Sequence, residues 1–168
     1  MMRRRLRGQA APSALVLVLL AMVLAAVVTD GVALLEMRQR GYRLAADAAL
    51  QGTRGGMDYA AYVDGGEIWL DEAVATTVAE KAVDTALAAQ GLTANTVLVR
   101  VLYRPTGGSI PGFPPHPAAQ QNGGTTWEAT APSVGVYLEL PVHTMFLNVL
   151  FGEESAVHVF AAASVAGL

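Results

Sequence analysis

The sequence of 168 residues contains no cysteine. This absence excludes disulfide bonds, iron–sulfur clusters and thiol catalysis, and it leaves histidines and carboxylates as the ligands for any zinc site. Charged residues are also scarce, at 15% of the chain, and the formal net charge is −3. A slightly acidic chain offers no general electrostatic attraction for a polyanion, so we expect no nucleic-acid partner.

Sequence patterns typical of catalysis are missing as well. The sequence has no glycine loop followed by a phosphate-binding lysine and no G-x-S-x-G element. Its three histidines, His116, His143 and His158, are far apart, and none has a second ligand at metal-binding spacing on the same predicted element. We therefore expect a protein that is not an enzyme, with no catalytic residue, no cofactor, no metal and no small-molecule substrate.

Charge is completely absent from residues 10–29, where leucine, valine, alanine and methionine dominate. Roughly 20 apolar residues at about 1.5 Å each match a hydrocarbon core of about 30 Å, which predicts a transmembrane helix over residues 10–29. Arg3, Arg4, Arg5 and Arg7 precede this run without an acidic residue among them. The positive-inside rule then makes residues 1–9 a cytoplasmic basic lead and places the rest of the chain outside the cytoplasm.

A cleaved secretory signal is the main alternative to this anchor, because it also has a basic start and an apolar core. The run is longer than the apolar core of a usual signal peptide, which is about 7–15 residues. Its exit reads Val27-Val28-Thr29-Asp30, which is not an A-x-A cleavage site. These two features favour a retained anchor in the cytoplasmic (inner) membrane.

Residues 30–54 continue the helical pattern beyond the predicted span. Helix formers predominate there, and the first strong stop signals are Gly52 and the pair Gly55-Gly56. We expect one helix of about forty residues, half in lipid and half outside. Small residues on the outer half would let a second helix or a sheet approach closely.

The remaining residues, 55–168, predict a small α+β domain. A one-sided pattern from about Glu72 to Gln90, with Asp71 as N-cap and Gly91 as C-cap, indicates an amphipathic helix. Residues then alternate with a period of two, which is typical of strands, over 96–104, 133–140 and 156–165, with a possible shorter strand at 125–130. The predicted architecture is one amphipathic helix packed on an antiparallel sheet of three or four strands.

Three connecting segments are harder to interpret. The Pro/Gly-rich loop at residues 105–124 holds five of the eight prolines, so it is either a functional surface loop or a mobile connection. Residues 57–70 indicate an irregular connection or a short hairpin. Residues 144–151 are apolar at helix-like spacing, and we expect a short helix packed under the sheet.

The N-terminal third resembles the TadE/TadG-like membrane proteins, which are associated with assembly of Flp-type (tight-adherence) pili. The resemblance covers roughly residues 3–54. It is carried by Arg7-Gly8-Gln9-Ala10, the apolar span, Asp30-Gly31, Arg38, and the segment Ala45-Ala46-Asp47-Ala48-Ala49-Leu50-Gln51-Gly52. The residues that it marks as motif or partner-contact candidates are Gly8, Gln9, Asp30, Arg38, Ala46, Asp47, Ala48 and Ala49.

This resemblance implies a non-catalytic membrane component with assembly partners. Those partners would be the lipid bilayer and either inner-membrane pilus or secretion machinery or the pilus subunits themselves. One departure concerns processing: members cleaved as pseudopilins have a glutamate five residues after a glycine, whereas Gly8 is followed at that spacing by Ser13. The chain is thus more similar to a retained assembly factor or minor subunit than to a major pilin.

Alternatives remain for the function and for two acidic residues. A different function is that of an anchored binding module for a ligand or surface polymer, in which Trp69, Trp127, the tyrosines and the proline-rich loop would form one apolar surface. Asp30 either marks the edge of the span without a partner or has a specific one. Asp47 is either solvated or part of a helix contact.

Overall fold

The computed structural model describes residues 10–118, 125–144, 146, 148 and 155–165. Its longest element is helix α1, Ala10–Gly55, which has 46 residues. At about 1.5 Å per residue this helix is about 70 Å long. The predicted span and the predicted outer extension therefore form one helix, and Gly31 and Gly41 lie inside it without interrupting it.

The N-terminal half of α1 has an apolar surface that the rest of the chain leaves uncovered. The large apolar side chains from Leu15 to Val28 are 42–65% exposed. In the described part of the chain, α1 is the one helix long and apolar enough to cross a membrane, and only 6% of its most apolar window is buried. Packing inside the chain therefore does not account for this surface.

The domain that follows α1 combines two shorter helices with seven strands in the described residues. In chain order these are β1 (Met57–Asp58), α2 (Tyr59–Gly65), β2 (Trp69–Leu70), α3 (Glu72–Gln90), β3 (Thr96–Leu102), β4 (Gly108–Pro111), β5 (Thr126–Ala129), β6 (Ser133–Val142) and β7 (Ser155–Ser164). The central sheet has the order β3-β6-β7, and the pairs β1-β2 and β4-β5 form two small ribbons. Every strand pair is antiparallel, so the predicted α+β class with an antiparallel sheet is confirmed.

Helix α3 is the predicted amphipathic helix, with the predicted ends. The Asp71 carboxylate accepts a hydrogen bond from the Val74 N–H at 3.0 Å, which satisfies one of the free donors of the first turn. Gly91 ends the helix in the left-handed conformation, with φ of 63°. Residues four apart form its buried face, namely Ala75, Ala79, Val83 and Leu87.

The C-terminal half of α1 packs against α3 and against β6 and β7 of the central sheet, where small residues allow close approach. Ala45, Ala48 and Ala49 are fully or almost fully buried in the main core. Gly52 is closest to α3: a Cβ placed on it would lie 2.8 Å from the Ala79 Cβ. The predicted role of small residues on this half of the helix is therefore confirmed.

Contacts along α1 give the domain two distinct ends. Gly41 lies against Leu140 of β6, and farther along the helix the Thr53 hydroxyl donates to the Ala163 carbonyl of β7 at 3.0 Å. Strand β7 therefore runs in the same direction as α1. We call the end of the domain nearest Asp30 the proximal end and the end nearest Gly55 the distal end.

The opposite face of the sheet is covered by the proline-rich segment and the β4-β5 ribbon. They enclose a second, largely aromatic core, which consists of Leu102, Phe113, Ala118, Trp127, Tyr137 and Phe160. Residues 105–118 are thus a packed layer and not a mobile connection, whereas residues 119–124 lie outside the described part. The strand predicted around Trp127 exists as β5, but it pairs with β4, so the described central sheet has three strands.

The two other uncertain segments differ in how far the structure describes them. Residues 57–70 form the paired strands β1 and β2 with α2 between them, which fits the short-hairpin alternative more closely than an irregular connection. Of the predicted short helix at 144–151, only Thr144, Phe146 and Asn148 are described, and Phe146 and Asn148 have helical backbone. The other residues of that prediction lie outside the described part of the chain.

The close approach of α1 to α3 generates a paired prediction. Gly52→Ala introduces a Cβ 2.8 Å from the Ala79 Cβ and 2.9 Å from the Ala75 carbonyl oxygen, whereas Gly31→Ala meets nothing within 4 Å. Both substitutions raise helix propensity, which stabilises the helix by about 1 kcal/mol. Only Gly52→Ala overpacks the contact between α1 and α3, at a cost of about 1–3 kcal/mol. In thermal unfolding of the full chain in detergent, Gly52→Ala should be the less stable variant. Equal stability of the two variants would contradict the packing.

Candidate functional sites at Asp30 and at the distal end

The first candidate site is the point where the exposed half of α1 enters the domain. Asp30 follows directly after the exposed apolar stretch, yet its side chain is only 4% exposed. Its Oδ2 accepts a hydrogen bond from the backbone N–H of Phe146 at 2.8 Å. A hydrogen bond from a backbone N–H satisfies a carboxylate that is otherwise shielded from water. Asp30 therefore has a specific partner and is not merely a stop residue.

Two side chains close to Phe146 in the sequence are joined by a hydrogen bond. Thr144 is buried, and its hydroxyl donates to the Asn148 Oδ1 at 2.9 Å. A hydrogen bond to a charged group contributes about 1.5–3 kcal/mol. The Asp30 carboxylate thus connects α1 to a residue 116 positions later and fixes the proximal end of the domain to the helix. Sequence reasoning placed Asp30 at the boundary, but no sequence pattern identified Phe146 as its partner.

The other motif residues do not gather at this contact. Arg38 is half-buried and lines a shallow depression with Pro117 and His158. Asp47 is exposed, and Ala46 is half-buried against the main core. Gly8 and Gln9 lie outside the described residues.

Ala48 and Ala49 are buried by other residues of the same chain. They are 1% and 0% exposed, between α1, α3 and the central sheet. These two alanines of the motif are therefore packed in the core of this chain. Asp47, between Ala46 and Ala48, remains exposed.

The fold brings together two histidines that the sequence keeps apart. The rings of His116 and His158 have centroids 4.8 Å apart, and the Tyr137 hydroxyl is 2.7 Å from the His158 Nδ1. Burial raises the pKa of Tyr137 to about 12, helped by the negative charge of Glu139. The phenol therefore keeps its proton at neutral pH and can donate it to His158. Among the described residues no group of three potential metal ligands occurs.

The aromatic side chains divide into a buried set and an exposed set. Trp127 is 3% exposed and Tyr137 is fully buried, so the proline-rich layer uses them as core. Among the exposed aromatic side chains of the described residues, Tyr42 lies on α1, whereas Tyr59, Tyr62, Trp69 and Tyr103 lie near the distal end together with the exposed Val63. The single apolar surface expected from all the aromatics and the proline-rich loop does not exist, but a smaller exposed surface does.

No family model, curated protein or solved structure matches this chain. Its possible roles therefore have to be argued from its own residues. The described residues offer three features: the Asp30–Phe146 contact, the Tyr137–His158–His116 cluster and the exposed distal side chains. The first connects the helix to the domain, the second lies on the outer face of the sheet, and the third has no role in the core.

The Asp30 contact predicts a local change when the carboxylate is removed. Asp30→Ala should strongly increase hydrogen exchange of the Phe146 amide, because that N–H loses its acceptor, and should lower stability by about 1.5–3 kcal/mol. Asp30→Asn keeps an acceptor oxygen and should have a smaller effect. Asp47→Ala, an exposed change on the same helix, is the matched control. Unchanged exchange at Phe146 in Asp30→Ala would show that the contact is not formed.

The buried phenol predicts a dependence of stability on alkaline pH. The pKa of Tyr137 rises from 10.0 to about 12 in the fold, so the folded state holds more protons than the unfolded state in that window. The contribution of the protonated phenol to the free energy of unfolding is complete below pH 10 and is lost as the pH rises toward 12. Tyr137→Phe should cost about 1 kcal/mol at pH 7 through the lost hydrogen bond and should remove part of the alkaline decline. Chemical denaturation across this pH range tests this, with the exposed Tyr103→Phe as control; an identical decline in Tyr137→Phe would refute it.

Proposed function

We propose that this chain is a non-catalytic, membrane-anchored component of a Flp-type pilus or secretion assembly, similar to the TadE/TadG-like proteins. The observation that carries the proposal is the continuity of α1. Its apolar N-terminal half is exposed, and its small-residue C-terminal half is the centre of the domain. The motif residues that the structure describes lie along this same helix from Asp30 onward, namely Asp30, Arg38, Ala46, Asp47, Ala48 and Ala49.

The proposed location is the cytoplasmic membrane, with one crossing. Residues 10–29 would span the bilayer, residues 1–9 would remain in the cytoplasm with their arginines, and the domain would lie outside. Asp30 would then lie at the outer boundary of the lipid, where its bond to Phe146 holds the domain against the membrane surface.

A continuous helix suits an assembly role for a mechanical reason. A domain attached by a flexible linker takes many orientations, whereas one built around its own anchor keeps a defined orientation and height. Surfaces on such a domain are presented to neighbouring membrane proteins in a constant geometry. Catalysis is not part of the proposal, because the sequence contains no catalytic pattern.

The sequence around Gly8 decides between two versions of this role. Ser13 stands where processed pseudopilins have a glutamate. We therefore favour a retained assembly factor or minor subunit over a principal filament subunit. Its partners would be the inner-membrane pilus machinery or the pilus subunits.

A second candidate function is supported by the exposed distal side chains. An anchored binding module would need an apolar surface directed away from the membrane, and Tyr59, Tyr62 and Val63 provide one. Trp127 and the proline-rich layer do not contribute, because they are packed in the second core. The ligand of such a module would be a macromolecule, since no enclosed apolar pocket surrounds these side chains in the described structure.

Deletion of the gene tests the proposed function. The deletion strain should lose or strongly reduce surface pili and adherence, and expression of the full chain should restore both. A version in which residues 1–29 are replaced by a cleavable secretion signal should not restore them, because the domain would no longer be fixed at the membrane.

Two controls make the outcome interpretable. Immunodetection of both versions confirms that they accumulate equally, and the Gln39→Ala chain checks that an exposed change on α1 outside the motif is tolerated. Normal piliation in the deletion strain would contradict the assembly role, and full rescue by the unanchored domain would contradict the role of the helix.

A further inference from the structure

Helix α2 presents side chains that the fold does not use. It has seven residues, and helices of this length are not stable in water through their own propensity. Here the Asp58 carboxylate accepts from two N–H groups of the first turn, at 3.0 and 3.1 Å, and Gly66 ends the helix with φ of 70°. None of its described side chains is buried. The caps therefore maintain a helix whose side chains contribute nothing to the core.

Large apolar side chains are what this helix exposes. Tyr59 is 69% exposed, Tyr62 is 52% and Val63 is 80%. Strand pairing brings β2 alongside the start of α2, with Asp58 opposite Trp69, and the Trp69 ring lies 6.3 Å from that of Tyr103. We define the distal aromatic surface as Tyr59, Tyr62, Val63, Trp69 and Tyr103.

The chemistry of this surface is typical of the centre of a protein interface. Tyrosine and tryptophan are enriched there because each buries a large area and immobilises few rotatable bonds. A shallow apolar groove formed by Ile68, Pro105 and Pro132 adjoins the surface at the same end of the domain. A partner thus meets aromatic side chains and a depression beside them.

Negative charge surrounds this surface. Residues 54–72 contain five acidic residues and one basic residue, whereas the rest of the chain contains nine acidic and ten basic residues. Four of these acidic side chains are exposed in the structure, namely Asp58, Glu67, Asp71 and Glu72. Two cations also lie at this end of the domain: Arg54 in the last turn of α1, and Arg104, which lies over the Tyr103 ring. The net negative charge of the whole chain is therefore concentrated at the distal end.

Two occupants do not fit an acidic, aromatic surface in this position. Asp30 and Gly55 are 25 residues apart on one helix, which places the distal end about 37 Å from the proposed lipid boundary, and anionic lipid would be repelled. A second copy in a symmetric dimer would bring one acidic rim against another. Electrostatic complementarity instead favours a different protein with a basic contact segment.

We propose that the distal aromatic surface docks a second protein whose contact segment is basic and carries apolar side chains. This proposal rests on the proposed function only for the compartment in which the partner is found. The contact itself depends on the caps of α2, the exposed aromatics and the acidic rim, all of which belong to this chain.

Photo-crosslinking in the native host tests the proposal on the full chain. Val63 is replaced by the photoreactive amino acid benzoylphenylalanine, and crosslinked peptides are identified by mass spectrometry. The expected product joins position 63 to a basic segment of one other protein. The same replacement at Tyr42, an exposed position on α1, should not give that product.

Charge reversal provides the second arm. Glu67→Lys should lower the yield of the crosslink about two- to fivefold, as expected for loss of an exposed ion pair, and Tyr62→Ala should lower it further by removing apolar contact. Glu80→Lys, an exposed change on α3, should leave the yield unchanged. Thermal unfolding of each variant checks that the fold is retained.

Several outcomes would overturn the proposal: products with a second copy of this chain, products with lipid alone, yields no higher than at Tyr42, or yields that do not respond to Glu67→Lys. The result also separates this proposal from the assembly role. A charge-sensitive product with a basic protein in a strain whose piliation does not depend on this gene would support the docking surface and contradict the proposed function.

Discussion

The rest of the structure depends on one requirement, namely that a single helix must satisfy two different environments. Before Asp30, α1 exposes leucines and valines that the other described residues leave uncovered. After it, α1 presents alanine and glycine to α3 and the central sheet, because larger side chains would prevent the close contact seen at Gly52. The Asp30 carboxylate, where the exposed half of α1 meets the packed half, is buried and accepts a hydrogen bond from the Phe146 N–H. The domain therefore begins where the apolar surface ends.

This arrangement shows how packing holds together a domain whose sequence has no cysteine. In the main core, α1 and α3 pack against each other and on one face of the central sheet, while the proline-rich layer closes the opposite face of the sheet with aromatic side chains. Two packed faces give a small cysteine-free domain a substantial apolar core. What remains outside both cores is the distal aromatic surface, and its separation from the fold is the reason to connect it with a partner.

Local sequence patterns predicted α1, α3 and the strands of the central sheet, but not helix α2, strand β4 or the contacts between distant residues. The N-cap at Asp71, the C-cap at Gly91 and the alternation in β6 are local signals, and each predicted its element. The partner of Asp30 was not predictable, because it is a backbone N–H and carries no side-chain signature. The burial of Trp127, which the binding-module alternative places on an apolar surface, was not predictable for a similar reason: it depends on Phe113 and Phe160, which are distant in sequence.

Rigid continuity of α1 is the central claim, and a distance between two points on the helix tests it most directly. Leu20 and Asp47 are both exposed, and the absence of cysteine allows each to be replaced by a spin-labelled cysteine without competing sites. In lipid nanodiscs, double electron–electron resonance should give one narrow distribution of label-to-label distances centred at about 40 Å, the length of 27 residues of straight helix. A broad distribution, or one centred well below this distance, would show that the helix bends or breaks between its two halves and would contradict the account.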